Sequence, residues 1–489
     1  MKISFRRSLL ITLSQSYVAL GLQFITSIII ARLLTPEELG VFSVAMVLVA
    51  IVNTLRDFGV VEYVVQEKAL SETRLRAAGM LTFITAWGMA ALVLLVSGPV
   101  AEFYRQPDVA LLLNILSLNF FLLPFGSVIS AHMRRQLDFT RIALIRTTVA
   151  LVHAGVSIGL AYIGFGYFAL AWSVAIASLT NVVLLQISRP KGFPFLPGFK
   201  EFRHVLSFGS FSSLSQVLKD MDKGGPDLVL GRLMGMESVA FFGRATGLID
   251  LFNRLIMQAV DTVVLPLLSA RARNNEDLTQ PFLTSVTYLT GIAWPFYLFV
   301  GMTAEPLIRV LYGDQWDAAI PIVQLLCIGE ALIVPFYLQH QVSVSQGLVR
   351  REVLRNGLIM AVRLLPLLLL PSYGLEAVVT GYACAYMFVA VISYFFLRTI
   401  CDARLTNLWQ SARPSLYMAV VTAIPLSISA YFMRYQPHEF WQTLATSWAA
   451  LAVGWLIAGR SIGHPCYNEL RHSLARLASS AHNRRKRHG

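Results

Sequence analysis

The stretch IARLLTPEELGVFSVA, residues 30–45, places an arginine, a proline and two glutamates between two long apolar runs. A second stretch, LGRLMGMESVAFFGRA at residues 230–245, repeats this pattern 200 positions later. Aligned at that offset without a gap, residues 30–60 and 230–260 are identical at nine of 31 positions, and the matches include an arginine, two acidic or amide residues and a phenylalanine. Since polar matches are rare by chance in apolar sequence, we infer an internal duplication.

The composition places the chain in a membrane. Of its 489 residues 56% are hydrophobic and only 14% are charged, whereas soluble domains carry about 25% charged residues. Runs of about 20 apolar residues recur, and each is long enough to cross a hydrocarbon core of about 30 Å. Because these runs are continuous and do not alternate apolar with polar residues, they predict helices and not a β-barrel.

The apolar runs predict an all-α polytopic membrane protein with 14 transmembrane helices. They cover residues 9–31, 39–55, 77–98, 109–130, 142–163, 165–187, 205–230, 239–268, 283–304, 320–338, 356–371, 374–397, 415–433 and 443–459. With the N-terminus in the cytoplasm, 29 of the 40 lysines and arginines fall in cytoplasmic segments and five in the opposite loops. This positive-inside bias predicts that both termini are cytoplasmic.

The duplication and the helix count together predict the domain organisation. Two six-helix bundles, 1–187 and 205–400, are joined by a basic cytoplasmic linker, 188–204, and are followed by two additional helices, 401–465, and a basic tail, 466–489. Both bundles start on the same side of the membrane, so the repeats are parallel. Transporters built from such repeats hold the substrate between the halves.

The repeated motif has a structural interpretation as a short hairpin between two spans. Pro36 suits the first turn of a helix, Thr35 suits its N-cap, and acidic residues stabilise the positive helix end. The hairpin residues are Arg32, Pro36 and Glu37 in the first copy and Arg232 and Glu237 in the second.

Ionisable residues inside the spans are functional candidates because charge is costly at membrane depth. Arginine is suited to a pyrophosphate because its planar fork binds two oxygens. The candidates for an anionic substrate head are Arg146, Arg244, Arg254 and Arg363, with Asn253. The candidates for ion coupling are Asp250, Asp261 and Glu330.

One charged segment, QVLKDMDKGGPDLVLGR at residues 216–232, lies near the end of the seventh predicted span. Glycine and proline are poor helix formers, so the run Gly224-Gly225-Pro226 predicts a break in this helix. The alternative to a functional role is a structural one, in which each buried charge forms an internal salt bridge that holds helices together.

Several chemistries lack their sequence signature. There is no GxxxxGK[ST] or HExxH motif, and the DMD at 220–222 falls on a predicted helix instead of a strand end. The four cysteines form no CxxC pair, so we expect no metal site. The loops leave no room for a soluble catalytic domain, and the positive charge follows the membrane sides instead of forming a nucleic-acid patch. We therefore expect neither an enzyme nor a nucleic-acid-binding protein.

Four segments carry a family resemblance. ARLLTPEELGVFS (31–43), DLVLGRLMGMESVAFFGRA (227–245), VLPLLSAR (264–271) and PLIRVLYGDQWDAAIPIVQLL (306–326) resemble segments of the polysaccharide flippases in the multidrug/oligosaccharidyl-lipid/polysaccharide exporter superfamily. The similarity covers roughly residues 5 to 400. It implies a bacterial inner-membrane flippase for undecaprenyl-pyrophosphate-linked oligosaccharides in exopolysaccharide, capsule or O-antigen synthesis.

The resemblance also implies alternating access driven by a proton or sodium gradient, with no bound cofactor. The expected partners are the lipid-linked oligosaccharide, membrane lipids, and the polymerase and glycosyltransferases of the same pathway. Two alternatives stay open at this stage: a multidrug/cation antiporter of the same superfamily, and a membrane-embedded polysaccharide polymerase or ligase.

Overall fold

A computed structural model describes residues 5–56, 60–68, 70–190, 193, 197–202, 212–274, 276–433, 440–472 and 475. All regular structure in this part of the chain is helical. The N-terminal helices are α1 (Phe5–Leu33), α2 (Pro36–Arg56), α3 (Val60–Gln66), α4 (Glu72–Tyr104), α5 (Asp108–Leu122), α6 (Pro124–Arg135), α7 (Phe139–Tyr162), α8 (Phe168–Ile187) and α9 (Ser212–Leu233).

The chain continues with ten further helices. They are α10 (Met236–Phe252), α11 (Gln258–Arg273), α12 (Thr279–Met302), α13 (Ala304–Leu311), α14 (Ala319–Ile333), α15 (Gln339–Ser345), α16 (Val349–Leu369), α17 (Leu375–Arg398), α18 (Leu405–Met433) and α19 (Phe440–Ile462). A π-helical turn, Asn253–Met257, joins α10 to α11. Short 3-10 turns, Asp314–Trp316, Val334–Phe336 and Pro371–Tyr373, precede α14, α15 and α17.

The prediction of an all-α polytopic membrane protein is confirmed. Within the described ranges, eight helices are long and apolar enough to cross a membrane, or nine if the bent pair α5–α6 forms one span. The eight are Gln15–Leu33, Pro36–Arg56, Glu72–Tyr104, Phe139–Tyr162, Phe168–Ile187, Thr279–Met302, Ala319–Ser345 and Leu375–Arg398. Each of the 14 predicted segments overlaps helical residues, and the number of spans stays a prediction.

The chain divides into two compact units, Met1–Ala240 and Phe241–Gly489. In the first unit, α4 packs on α5, α7 packs on α1 and α8, and α2 packs on α9. In the second unit, α12 packs on α14 and α18, α14 packs on α17, and α18 packs on α19. The residue ranges predicted for the bundles, the linker and the tail stay predictions, and residues 476–489 lie outside the described part of the chain.

Helix α9 corrects the expected break at Gly224-Gly225-Pro226. It runs without interruption from Ser212 to Leu233, with Pro226 inside it. The glycines serve close packing against α2, since a Cβ at Gly224 would lie 2.4 Å from Val47 and one at Gly231 would lie 2.9 Å from Val44. The interhelical contact thus decides the conformation over the local preference.

The first copy of the repeated motif forms a tight helix start. The Thr35 N–H donates to Glu38 Oε2 at 2.8 Å, and the Glu38 N–H donates to Thr35 Oγ1 at 3.3 Å. This reciprocal pair is a capping box, which satisfies N–H groups that the first helical turn leaves without partners. Pro36 is buried at the first position of α2, and Glu37 lies in its first turn.

The described part of the basic linker packs on the first unit. The Arg74 guanidinium donates to Glu201 Oε2 at 2.9 Å and to Glu67 Oε1 at 2.9 Å. Phe193 and Phe202 pack against an apolar cluster formed by α3, α4 and α6. Arg135 completes this corner by donating to the carbonyl of Val64 at 3.0 Å, which fixes the end of α3.

Candidate functional site

Glu330 of α14 is the centre of a hydrogen-bonded cluster in the second unit. Tyr337 donates its hydroxyl to Glu330 Oε2 at 2.7 Å, and Tyr386 of α17 donates to Glu330 Oε1 at 2.7 Å. The hydroxyls of Tyr297 and Tyr337 lie 2.7 Å apart. One carboxylate therefore connects α12, α14 and α17, and we call these four residues the carboxylate–tyrosine cluster.

Local packing lets Tyr386 reach this carboxylate. A Cβ at Gly329 would lie 2.5 Å from the Tyr386 ring, so only glycine leaves room for the ring to cross α14. The guanidinium of Arg363, from α16, lies 4.9 Å from the centre of the same ring. A stacked cation is attracted to the negative face of the ring. Tyr386 therefore contacts both the Arg363 guanidinium and the Glu330 carboxylate.

A second predicted coupling residue, Asp250, borders the cluster. Its charge acts on Tyr297, as does the charge of Glu330. Phe252, two residues after Asp250, packs against the rings of Tyr297 and Tyr337 at centroid distances of 5.5 and 6.3 Å. The structure thus brings Asp250, Glu330 and Arg363 into one region of the second unit.

Asn253 and Arg254 lie in the π-helical turn that follows α10. Single π-helical turns are costly and often occur at functional sites. Both residues are half-buried. Nothing in the sequence pattern predicted the turn, because the apolar spacing on either side suits an ordinary helix.

Arg244 lies against two aromatic rings, and one of them, Tyr312, also forms a side-chain hydrogen bond with it. Its guanidinium lies 5.3 Å from the ring centre of Tyr312 and 5.1 Å from that of Trp316. Trp316 is fully buried. Arg244 is predicted to contact the substrate. In the structure it contacts these two rings and thereby connects α10 to the segment after α13.

That segment is ordered by Arg309, which lies on α13, between two of the predicted spans. Arg309 makes a two-pronged bond to Asp317, at 2.9 and 2.8 Å, and a further bond to Glu305 at 2.7 Å. The hydrogen bond to Asp317 raises the pKa of Arg309 above its ordinary value. The resulting loop presents Trp316 to Arg244, which gives the motif RVLYGDQWD a structural reason.

Arg146 lies on α7 of the first unit and is exposed. Its charge interacts with that of Arg134 on α6. The side chain of Asp261 lies outside the described part of the structure. In the second hairpin, the Arg232 guanidinium lies 5.1 Å from the centre of the Phe103 ring, and Glu237 is in the first turn of α10.

The sequence analysis missed the three tyrosines of the cluster. Tyr297, Tyr337 and Tyr386 stand in apolar spans, where a tyrosine hydroxyl needs a hydrogen-bond partner. This need for a partner is the feature of the sequence that could have indicated the three tyrosines. Their convergence on Glu330 was not visible, because they come from different helices.

The sequence of this chain matches a known protein family. A family model described as "Polysaccharide biosynthesis protein" matches residues 29–321, which is more than half of the chain. The chain belongs to this family. The matched range includes Arg254 and excludes Glu330, Arg363 and Tyr386.

Curated relatives carry names from polysaccharide synthesis. The succinoglycan biosynthesis transport protein ExoT of Rhizobium meliloti is 25% identical over 493 residues, which cover 96% of this chain and 93% of the relative. The lipopolysaccharide biosynthesis protein WzxC of Escherichia coli is 23% identical over 64% of each chain. The teichuronic acid biosynthesis protein TuaB of Bacillus subtilis is 25% identical over 60% of this chain and 61% of the relative.

Solved structures support the fold. A lipid II flippase, MurJ, in an inward closed conformation matches with a TM-score of 0.74 and 12% identity, over 93% of this chain and 99% of that chain. An inward-facing multidrug resistance transporter of the MATE family matches with a TM-score of 0.58 and 14% identity, over 80% of this chain and 97% of that chain. At these identities the likeness shows the fold alone. By name, ExoT is a transport protein, MurJ is a flippase and the MATE-family protein is a transporter.

Proposed function

We propose that this protein is a flippase that moves an oligosaccharide unit linked to undecaprenyl pyrophosphate across the bacterial inner membrane. The movement is from the cytoplasmic to the outer leaflet, for exopolysaccharide, capsule or O-antigen synthesis. Membership of the polysaccharide biosynthesis family, with the full-length match to a succinoglycan transport protein, carries this proposal. The protein performs no chemistry on its substrate, and both of its termini are cytoplasmic.

The driving force in this proposal is a proton or sodium gradient, and Glu330 is the coupling group. As a carboxylate, Glu330 accepts a hydroxyl on each oxygen. Binding a proton converts one oxygen into a donor, so the hydroxyl of Tyr337 or Tyr386 at that oxygen has to accept a hydrogen bond instead of donating one. Loading and unloading of Glu330 thereby changes the contact of α14 with α17, which is the kind of two-state element that alternating access requires.

The substrate head is bound by half-buried arginines in this proposal. The candidates are Arg363, whose guanidinium stacks on the Tyr386 ring of the cluster, and Arg254, which lies in the π-helical turn. Arginine binds phosphate oxygens in pairs. The flippase works beside the glycosyltransferases that build the oligosaccharide and the polymerase that consumes it.

The sidedness of the lipid-linked intermediate tests this function. Deletion of the gene should stop polymer export and leave the complete lipid-linked oligosaccharide in the cytoplasmic leaflet, protected from a periplasmic probe. Accumulation in the outer leaflet would instead identify a polymerase or ligase. Loss of resistance to cationic drugs with normal polymer export would identify a drug antiporter.

A further inference from the structure

A cavity of about 220 Å³ lies in the first unit, beside the bend between α5 and α6. The axes of these helices differ by 51°. Pro124 starts α6 directly after the bend, where its missing N–H costs no hydrogen bond.

The lining of the cavity combines cations with hydrogen-bonding groups. Arg56, the last residue of α2, and Arg134, near the end of α6, both line it. Seven serine, threonine and asparagine residues line it as well, and no carboxylate occurs among the described lining residues. Such a site attracts an anion.

The polar side chains offer donors to a ligand. The Ser178 hydroxyl donates to Asn119 Oδ1 at 2.6 Å, which leaves the Asn119 amide N–H groups as donors. The Ser127 hydroxyl is buried and makes no hydrogen bond to any other described residue. A buried hydroxyl without a partner is costly, so a ligand oxygen at this position would stabilise the site.

The size and the remaining lining define the ligand further. A volume of about 220 Å³ is below the ~300–1,000 Å³ of most small-molecule sites, so it excludes an oligosaccharide and suits a phosphate group. Arginine forks match phosphate oxygens. The other wall is apolar, with Leu122, Val182 and Leu185, which is what an acyl or polyprenyl chain requires and a free anion does not.

We propose that this cavity binds the phosphate group of an anionic membrane lipid through Arg56 and Arg134. The lipid is bound on the side of the first unit that the positive-inside pattern assigns to the cytoplasm. This is a separate property from flipping, because neither arginine belongs to the predicted coupling or substrate groups. Anionic lipid would then hold α2, α6 and α8 together around the bend.

Lipid binding to the purified full-length protein tests the proposal. Thermal unfolding in neutral detergent is measured with increasing phosphatidylglycerol, with phosphatidylcholine and with sodium phosphate. We expect saturable stabilisation by phosphatidylglycerol alone. Arg56→Gln and Arg134→Gln should each weaken its apparent affinity about tenfold, as expected for the loss of a charge-assisted bond. The Lys variants should lose less, because they keep the charge without the fork.

Arg141→Gln is the matched control, since Arg141 is an exposed cation on the same predicted side and does not line the cavity. Its affinity should stay within about twofold of the original, well below the effect of a lost charge-assisted bond. Equal stabilisation by sodium phosphate would overturn the lipid assignment. Three results would overturn the site. They are an unchanged affinity for phosphatidylglycerol when Arg56→Gln and Arg134→Gln are combined, an equal loss of affinity in Arg141→Gln, and the absence of saturable stabilisation. Since no export is measured, these results are independent of the proposed transport.

Discussion

The two units differ in the polar chemistry that they enclose. The first unit has a cavity lined by two arginines, with no carboxylate among its described lining residues. The second unit has a carboxylate, Glu330, that two tyrosine hydroxyls bind. An inferred duplication therefore preserved a hairpin motif while the residues inside each unit diverged. The difference supports two separate proposals: binding of an anionic membrane lipid in the first unit and ion coupling through Glu330 in the second.

The strongest test of this contrast is to remove the charge of Glu330. Glu330→Gln keeps the size of the side chain but removes the negative charge and one acceptor oxygen, so polymer export should fall by at least about tenfold, the effect of losing a hydrogen bond to a charged group. Export is measured in a deletion strain that carries the variant at normal protein levels. Glu376→Gln is the control, because Glu376 is exposed in the first turn of α17. Normal export from Glu330→Gln would remove Glu330 from the coupling role.

The second test separates two arginines that the sequence analysis had grouped. Arg254→Ala should abolish export at normal protein levels, and Arg254→Lys should keep more of it. Arg244→Ala should instead lower stability by about 1–2 kcal/mol, because it removes contacts with two aromatic rings. Export per protein molecule and thermal unfolding of each variant are measured together. A stable Arg244→Ala protein without export would restore Arg244 as a substrate contact.

The third test compares the two copies of the repeated motif. Position 40 is glycine in the first copy, and its counterpart in the second is Ala240. A Cβ at Gly40 would lie 1.8 Å from the Met236 carbonyl oxygen, so Gly40→Ala should cost about 1–3 kcal/mol through forced displacement. Gly21→Ala is the control, since no atom lies within 4 Å of the Cβ it would add. Equal melting temperatures for the two variants would contradict this packing.

The smallest expected effect concerns the contact between His464 and Ser415 in the second unit, which has no described counterpart in the first unit. His464 accepts the Cys466 N–H on Nδ1 at 3.2 Å, so its Nε2 carries the proton and donates to Ser415 Oγ at 3.1 Å. Burial lowers the pKa of His464 below its ordinary value. The unfolded chain therefore binds a proton at a higher pH than the folded chain does. The free energy of unfolding should fall as the pH drops below about 6.5.

The measurement for this contact is thermal unfolding between pH 7.5 and pH 5. The original protein should lose more stability than His464→Gln, which has no imidazole to protonate. Parallel curves for the two proteins would show that His464 does not contribute to the pH dependence.

The fold class was predictable because lipid forces every spanning segment to satisfy its own backbone hydrogen bonds. Apolar runs therefore predict helices without knowledge of their neighbours. The Gly224-Gly225-Pro226 run shows the limit: local preference predicts a break, but contact with Val44 and Val47 maintains the helix.

The candidate site was predictable only in part. Glu330 was visible as a rare charge in an apolar span, whereas its partner Tyr386 was not, since Tyr386 comes from another helix. Arg244 was visible as a charge too, but its aromatic partners lie more than 65 positions along the chain. Sequence spacing identifies costly residues, and tertiary structure decides which groups compensate for them.

In our proposal, this chain by itself moves a lipid-linked oligosaccharide between leaflets. Purified protein in vesicles, with fluorescent undecaprenyl-pyrophosphate oligosaccharide placed in one leaflet, measures that movement directly. We expect transfer to the other leaflet when a proton or sodium gradient is applied, and loss of that transfer in Glu330→Gln. No transfer by the original protein under either gradient, beyond that in vesicles without protein, would contradict it.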